Sequence, residues 1–281
     1  DIAVCSTGLI GERLPMDTIN AGIDAIAPLL SDDGGADAAV AIMTTDTRPK
    51  TASVTVDGYT VGGMAKGAGM LAPALATMLV VITTDAIVSA ETADAALRRA
   101  TGLTFDRIDS DGCMSTNDTV LLLASGASGV APEFDGFAAA VTAVAADLAR
   151  QLIGDAEGAS KDIEIRVVNA ATETDALVVG RAVSRSNLLK CAIHGEDPNW
   201  GRILSAAGTT QAVFESDRVN VAINDVWVCR NGGVGDSRDL VDMSGRVVRI
   251  GIDLAAGSAE ATIWTNDLTA DYVHENSAYS T

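Results

Sequence analysis

The chain has 281 residues, 48% hydrophobic but only 4% aromatic, so one large core or two moderate ones must be filled by Leu, Ile, Val and Ala. With 19 Lys and Arg against 38 Asp and Glu, the formal charge is −19 and the pI is near 4.3. Such a surface repels phosphate backbones and anionic lipid, which excludes nucleic-acid and membrane-surface binding and leaves small molecules as the expected partners.

In chain order, the opening DIAVCSTG has neither an initiator Met nor the basic start of a secretory signal, and further residues are expected before Asp1. Ile2 to Cys5 reads as a short buried strand running into the small-residue turn Ser6-Thr7-Gly8. Met16, Ile19, Ile23 and Ile26 then recur at helical spacing, and a second helical segment spans about Ala38 to Met43. Ser53 to Val56 and Tyr59 to Val61 flank Asp57-Gly58, a strong hairpin signal, and Gly62-Gly63 is expected to break the second strand.

Thr77 to Asp85 is rich in β-branched residues and fits a buried strand, Ser89 caps a helix running through Leu97 to Ala100, and Thr119 to Ala124 is a further strand. Phe134 to Ile153 reads as an alanine-rich helix closed by Gly154. Past residue 160 come an alternating strand over Ile163 to Val168 and a helix over Asp175 to Ser186. Further strands are expected at Val219 to Ile223, Val247 to Leu254 and Ala261 to Thr265, and the glycine cluster between Val228 and Asp236 reads as a loop. Helices and strands alternate, so the class is mixed α/β, with a boundary near residue 160.

The longest nearly uncharged apolar stretch, Met70 to Ile82, is about 13 residues long, short of the roughly 20 that a spanning helix needs. No membrane segment is therefore expected. Cys5, Cys113, Cys191 and Cys229 form no C-x-x-C pair, which fits reduced thiols in a cytoplasmic protein. The only lysines are Lys50, Lys66, Lys161 and Lys190, a scarcity that reads first as compositional bias.

Three kinds of chemistry fit poorly. In GGMAKGAG, residues 62 to 69, glycines that could cradle an anion surround Lys66, but Lys66 is followed by glycine and the Walker spacing is not met. His194 and His274 are the only histidines and lie in no zinc pattern, which argues against a catalytic metal and a Ser-His-Asp triad. With histidine scarce, a nucleophile needs another base. A threonine freed at a chain N-terminus has one in its own α-amine, whose reference pKa is about 7.7–8.0. Such a residue needs a small neighbour on its upstream side and an exposed turn, and Ala76-Thr77, shortly after Pro73, meets both requirements. By pattern alone Thr77 reads first as one more β-branched residue at the head of a strand, and its residue type makes the nucleophile possible without selecting it.

The block GGMAKGAGMLAPALATMLVVITTDA, residues 62 to 86, resembles the self-cleavage signature of the ornithine acetyltransferase (glutamate N-acetyltransferase) family. CSTGLIGERLPMD from Cys5, AIMTTDT from Ala41, STNDTVLLLASGAS from Ser115, DAEGASK from Asp155, HGEDPNWGRIL from His194 and the closing ENSAYST resemble the same family in the same order. The resemblance implies a layered α-β-β-α catalytic domain over residues 1–160 and a smaller α/β domain over 161–281 whose tail returns to the active site.

It further implies cleavage between Ala76 and Thr77, with an α chain ending at residue 76 and a β chain starting at 77. Thr77 is then the nucleophile, Thr7 and Gly8 form the oxyanion hole, and Lys66, Glu157, Asn276, Thr281 and one of Thr44 and Thr45 contact substrate. The implied reaction moves acetyl from N2-acetyl-L-ornithine to L-glutamate in arginine biosynthesis, without a cofactor or metal, in an α2β2 heterotetramer. Some members also use acetyl-CoA, and no feature of the sequence separates the two types. The rival readings are an N-terminal-nucleophile amidase that hands the acyl group to water, and an uncleaved binding module for acetylated amino acids.

Overall fold

The computed structural model describes residues 2–9, 11–72 and 78–278. The first of these form no strand. Ile2 and Val4 are 92% and 81% exposed, no described strand lies beside them, and β propensity without a pairing neighbour does not make a strand. Helix α1 (Met16–Ile26) follows the expected spacing yet buries none of its residues, and α2 (Gly35–Ala41) buries only Ala39.

Asp57 and Gly58 take φ of 50° and 85°, the left-handed pair that joins two right-twisted strands in a tight hairpin. β1 (Lys50–Val56) and β2 (Tyr59–Lys66) accordingly pair antiparallel in unbroken register. The expected break at Gly62-Gly63 does not occur. At Gly63 a Cβ would lie 3.1 Å from Val81 O and 3.2 Å from Leu148 Cδ1, so the missing side chain lets the strand approach its neighbours closely instead of ending it. β3 (Leu79–Thr84) runs antiparallel to β2.

The parallel neighbour β4 (Thr119–Ala124) needs a long connection, which contains α3 (Ala90–Leu103), started by the Ser89 hydroxyl accepting the Thr92 N–H at 3.2 Å. These four strands form the first sheet in the order β1-β2-β3-β4. Helix α4 (Phe134–Ile153) lies on β1, β2 and α3 and sinks Phe137, Val141, Val144, Leu148, Leu152 and Ile153 into the first core. By length and composition α4 could cross a membrane, a candidate the uncharged-run criterion passes over. More than half of its apolar window, 56%, is buried in the protein.

All strands of the second sheet come after residue 161. Its order is β10-β5-β9-β6-β7-β8, from β5 (Asp162–Ala170), β6 (Asn220–Ile223), β7 (Val226–Arg230), β8 (Gly233–Val234), β9 (Val247–Asp253) and β10 (Ala259–Asn266). The glycine cluster expected as a loop is the β7–β8 hairpin, turned at Asn231 and Gly232 with φ of 48° and 69°. The helix expected over residues 175–186 is α5 (Glu173–Ser184), and an unexpected helix, α6 (Asn187–His194), follows it at once because Ser186 accepts the Leu189 N–H and starts a new helix. In DPNWGR, Asn199 accepts the Arg202 N–H at 3.2 Å and caps α7 (Trp200–Ala207), so this segment is at least a helix start.

Helix α5 packs on β5 and β10 over a second core. Trp264 of β10 packs against the first core and bridges Ile108, so the two layered units abut. Helix α8 (Ala270–Ala278) closes the described chain. The class is mixed α/β, as the alternation of elements predicts.

Candidate active site

Lys66 pairs with Leu79, and Leu79 with Thr119. The end of β2 and the starts of β3 and β4 therefore meet at one edge of the first sheet. Here Met78 is held on both sides: its N–H donates to Asp118 Oδ1 at 2.8 Å and its carbonyl accepts the Thr119 N–H at 3.1 Å. Asp118 Oδ2 is buried and has no hydrogen-bond partner among the described residues. Burial pushes the Asp118 carboxyl up to about 6, against the opposing pull of the Met78 amide and the Lys66 ammonium. Thr77 immediately precedes Met78 in the chain, and it lies with Ala76 and Thr281 outside the described residues.

A buried ion network knits the surrounding segments together. Lys50 Nζ, with no exposed surface, donates to Asp46 Oδ1 and Asp155 Oδ2, each at 2.6 Å. Asp46 also accepts the Gly67 N–H at 2.7 Å and the Thr44 N–H at 3.1 Å. Asp155 accepts the Thr47 N–H at 3.0 Å and the Thr47 hydroxyl. Burial raises the Asp46 carboxyl, but the hydrogen bonds from Lys50, Gly67 and Thr44 outweigh it and leave the group below its ordinary value. One lysine thus joins the Thr44-Thr45 turn, the end of β2 and the Asp155–Glu157 turn, three segments that the sequence reading singled out separately.

Lys66 is 1% exposed. Desolvation drives its pKa down, Lys50 adds to that, and Asp46, Asp118 and Glu157 oppose it. Glu157 sits over the backbone just past Lys66, its N–H donating to Ala68 O at 2.8 Å. A Cβ on Gly69 would fall 2.7 Å from Glu157 Oε2. On the other side Asn276 of α8 donates to Glu157 Oε2 at 3.2 Å. Gly158 makes room for that helix: its φ is +62° and a Cβ there would stand 2.2 Å from Tyr272 N. Helix α8 therefore folds back onto Glu157.

The structure brings Lys66, Glu157, Asn276 and the Thr44-Thr45 turn into one region. Thr44 is tied by its amide to Asp46, while Thr45 shares with Arg48, Asp155 and Glu157 the wall of an open groove of about 780 Å³. Thr7 is half-buried and Gly8 exposed, and neither hydrogen-bonds to these residues among those described. No cluster of three potential metal ligands occurs among the described residues.

Ser160, His194 and Asp267 do meet, but not as a triad. Both Ser160 Oγ, at 3.2 Å, and Asp267 Oδ2, at 3.0 Å, face the same ring nitrogen, Nδ1. A triad histidine uses one nitrogen for the nucleophile and the other for the carboxylate. Asp267 also accepts the N–H groups of Ser160 and Lys161, so the trio clasps the link between the two sheets.

The sequence model of the ArgJ family matches residues 1–281, the whole chain. The chain belongs to the ArgJ family. The arginine biosynthesis bifunctional protein ArgJ of Streptomyces coelicolor is 71% identical over 280 residues, covering 100% of this chain and 73% of that protein. The protein of the same name from Mycobacterium leprae is 54% identical over 284 residues, covering 100% and 70%. The crystal structure of arginine biosynthesis bifunctional protein argJ from Bacillus halodurans superposes with a TM-score of 0.67 at 33% identity, over 72% of this chain and 98% of that one.

Within this candidate site, Asp46, Lys50, Asp155 and Asp118 escape sequence reasoning. One signal was present, the scarcity of lysine. All four lysines are buried, Lys50 and Lys66 at 0% and 1% exposure and Lys161 and Lys190 at 6% each. Burying an ammonium is costly unless its surroundings compensate, so each of the four lysines marks a place where the structure must supply partners.

Proposed function

We propose that this chain is a glutamate N-acetyltransferase of arginine biosynthesis. It moves acetyl from N2-acetyl-L-ornithine to L-glutamate through an ester on Thr77, after cleaving itself between Ala76 and Thr77. The observation that carries the reading is the ArgJ-family match over the whole chain. It is supported by the meeting of Lys66, Glu157 and Asn276 beside Met78, the residue after the proposed nucleophile.

In this mechanism the Thr77 α-amine takes the hydroxyl proton as Oγ bonds to the acetyl carbon. The C–N bond then breaks, and the departing ornithine amine carries the proton away. Glutamate's amine attacks the ester in the second half, releasing the Thr77 hydroxyl. Thr7 and Gly8 stabilise the oxyanion of each tetrahedral intermediate. A buried cation at Lys66 and an anion at Glu157 suit amino-acid ligands that carry both charges, and one of Thr44 and Thr45, with Asn276 and Thr281, completes substrate binding. No cofactor takes part in this route. Acetyl-CoA is a second acyl donor to test, since the relatives are named bifunctional.

In the same proposal residues 1–160 form the catalytic domain and 161–281 the second domain, in a cytoplasmic α2β2 assembly. The test is the fate of the acetyl group. With N2-acetyl-L-ornithine and labelled glutamate, labelled N-acetylglutamate and ornithine in equal amounts, with parallel double-reciprocal kinetics, are expected. Free acetate formed at the same rate with and without glutamate would point to an amidase.

A further inference from the structure

A lysine ammonium has three N–H donors to satisfy, and the buried lysines differ in how far the protein satisfies them. Lys50 Nζ donates to Asp46, to Asp155 and, at 3.4 Å, to the Arg48 carbonyl. Lys161 Nζ donates to Glu196 Oε1 and to the carbonyls of Met243, Ser244 and Gly245. Lys190 of α6, 6% exposed, donates only to the Ser110 carbonyl among the described residues. It lines a cavity of about 60 Å³ where the loop before β4, α6, the end of β10 and α8 meet, and Asp111, Asn266 and Tyr272 share the wall.

Asn266, 1% exposed, turns its Nδ2 to Ile153 O at 3.0 Å, while its Oδ1 has no hydrogen-bond partner among the described residues. Unsatisfied donors and an unsatisfied acceptor buried at one cavity cost stability, and in native proteins such groups are completed by a bound molecule. Glu157 closes the wall and also lies within electrostatic reach of Lys66. The cavity therefore adjoins the region where Lys66, Glu157 and Asn276 meet.

We propose that this cavity receives the side-chain end of the amino-acid substrates, and that Lys190 selects a carboxylate in the acceptor. The inference rests on the acetyltransferase reading for the identity of the ligands and deepens it. L-Glutamate brings two carboxylates, one for Lys66 and one for Lys190. The cavity has room for a carboxylate or an ammonium and not for a whole amino acid, so the rest of the ligand stays beside Glu157. Desolvation lowers the pKa of Lys190 against the pull of Asp109, Asp111 and Asp267, and an entering carboxylate adds to that pull. The side chain of ornithine ends in an ammonium, for which Glu157, Asp111 and Asn266 Oδ1 on the same wall are acceptors.

The test offers L-glutamate and L-glutamine separately as acceptors from N2-acetyl-L-ornithine and compares their kcat/KM within each preparation, a ratio that does not depend on how much of the protein is folded. Wild type that acetylates neither sinks the acetyltransferase reading, and this inference with it. With glutamate acetylated, wild type is expected to prefer it by about a hundredfold or more, and use of both alike overturns the carboxylate pocket. Lys190→Gln keeps a donor for the Ser110 carbonyl and removes the charge. It is expected to lower the preference by on the order of ten- to a hundredfold through KM for glutamate, with KM for N2-acetyl-L-ornithine within about threefold. Lys190→Met, read by the same ratio, serves as the second uncharged variant, and Lys190→Arg is expected to keep most of the preference. An uncharged variant that retains the wild-type preference shows a cavity holding water only and overturns the proposal.

Discussion

Replacing Lys50 with Met removes the cation that holds two buried carboxylates and leaves the methylene stem in place. Lys50 has no exposed surface, and its partners Asp46 and Asp155 have side chains 0% and 4% exposed, each 2.6 Å from Nζ. Breaking a buried pair by deleting one partner costs about 3–5 kcal/mol, because the remaining charge is uncompensated. Here two carboxylates are left, but Asp46 keeps the Gly67 and Thr44 amides and Asp155 keeps Thr47. We therefore expect a loss of about 4 kcal/mol, the middle of that range. At about 2–4 °C per kcal/mol for a chain of this size, the melting temperature falls by roughly 8–16 °C.

The pH dependence carries a sign. Asp46 sits below its unfolded value of 3.8 in the native state, so it contributes stability above pH 3.8 that is lost as pH falls through the folded value. Without Lys50 much of that contribution disappears, so the deficit of the variant is largest near neutral pH and shrinks below about pH 4. Differential scanning fluorimetry and urea unfolding between about pH 2.5 and 8 would measure it. A variant melting within about 1 °C of wild type at pH 7 would refute the network as a structural keystone.

Gly69→Ala places a methyl group 2.7 Å from Glu157 Oε2, and the carboxylate must swing away. We expect KM for the amino-acid substrates to rise about tenfold with little change in melting temperature, roughly the effect of a mispositioned charged hydrogen bond; steady-state kinetics would show it. Gly158→Ala meets the backbone of Tyr272 and a positive φ together, so α8 should undock, detected as faster amide exchange over residues 270–278 and loss of activity without global unfolding. For Asp118, raised from 3.8 to about 6, native stability is greatest below pH 3.8 and is lost as pH rises to about 6. Asp118→Asn should therefore melt higher than wild type at pH 7–8, with the gain vanishing near pH 4 in a pH series of thermal melts.

Much of the fold is legible in the sequence because local signals and tertiary packing agree there. β4 and α4 begin and end where a short apolar run, alanine content and Gly154 place them, and Asp57-Gly58 turns as its residue types demand. The failures arise where distant residues decide. Ile2 to Cys5 has strand-forming side chains and no strand to pair with. Gly62-Gly63 stays in its strand because Val81 and Leu148 come close to it. At the site, the motif residues were visible one by one, but the ion network was not: Lys50 and Asp155 are 105 residues apart, and no local pattern links them. Asp118 stands in the sequence only as one letter of the STNDTVLLLASGAS block, since its place in the site rests on a backbone hydrogen bond from residue 78.

The central claim is that Thr77 becomes a free N-terminal nucleophile, and the intact mass of the denatured chain tests it most directly. Wild type should resolve into two fragments, the larger beginning at Thr77 and gaining the mass of one acetyl group when N2-acetyl-L-ornithine is added, while Thr77→Ala stays a single unmodified chain. A wild-type chain that remains at 28.7 kDa, or fragments whose acetyl group maps to another residue, would contradict it.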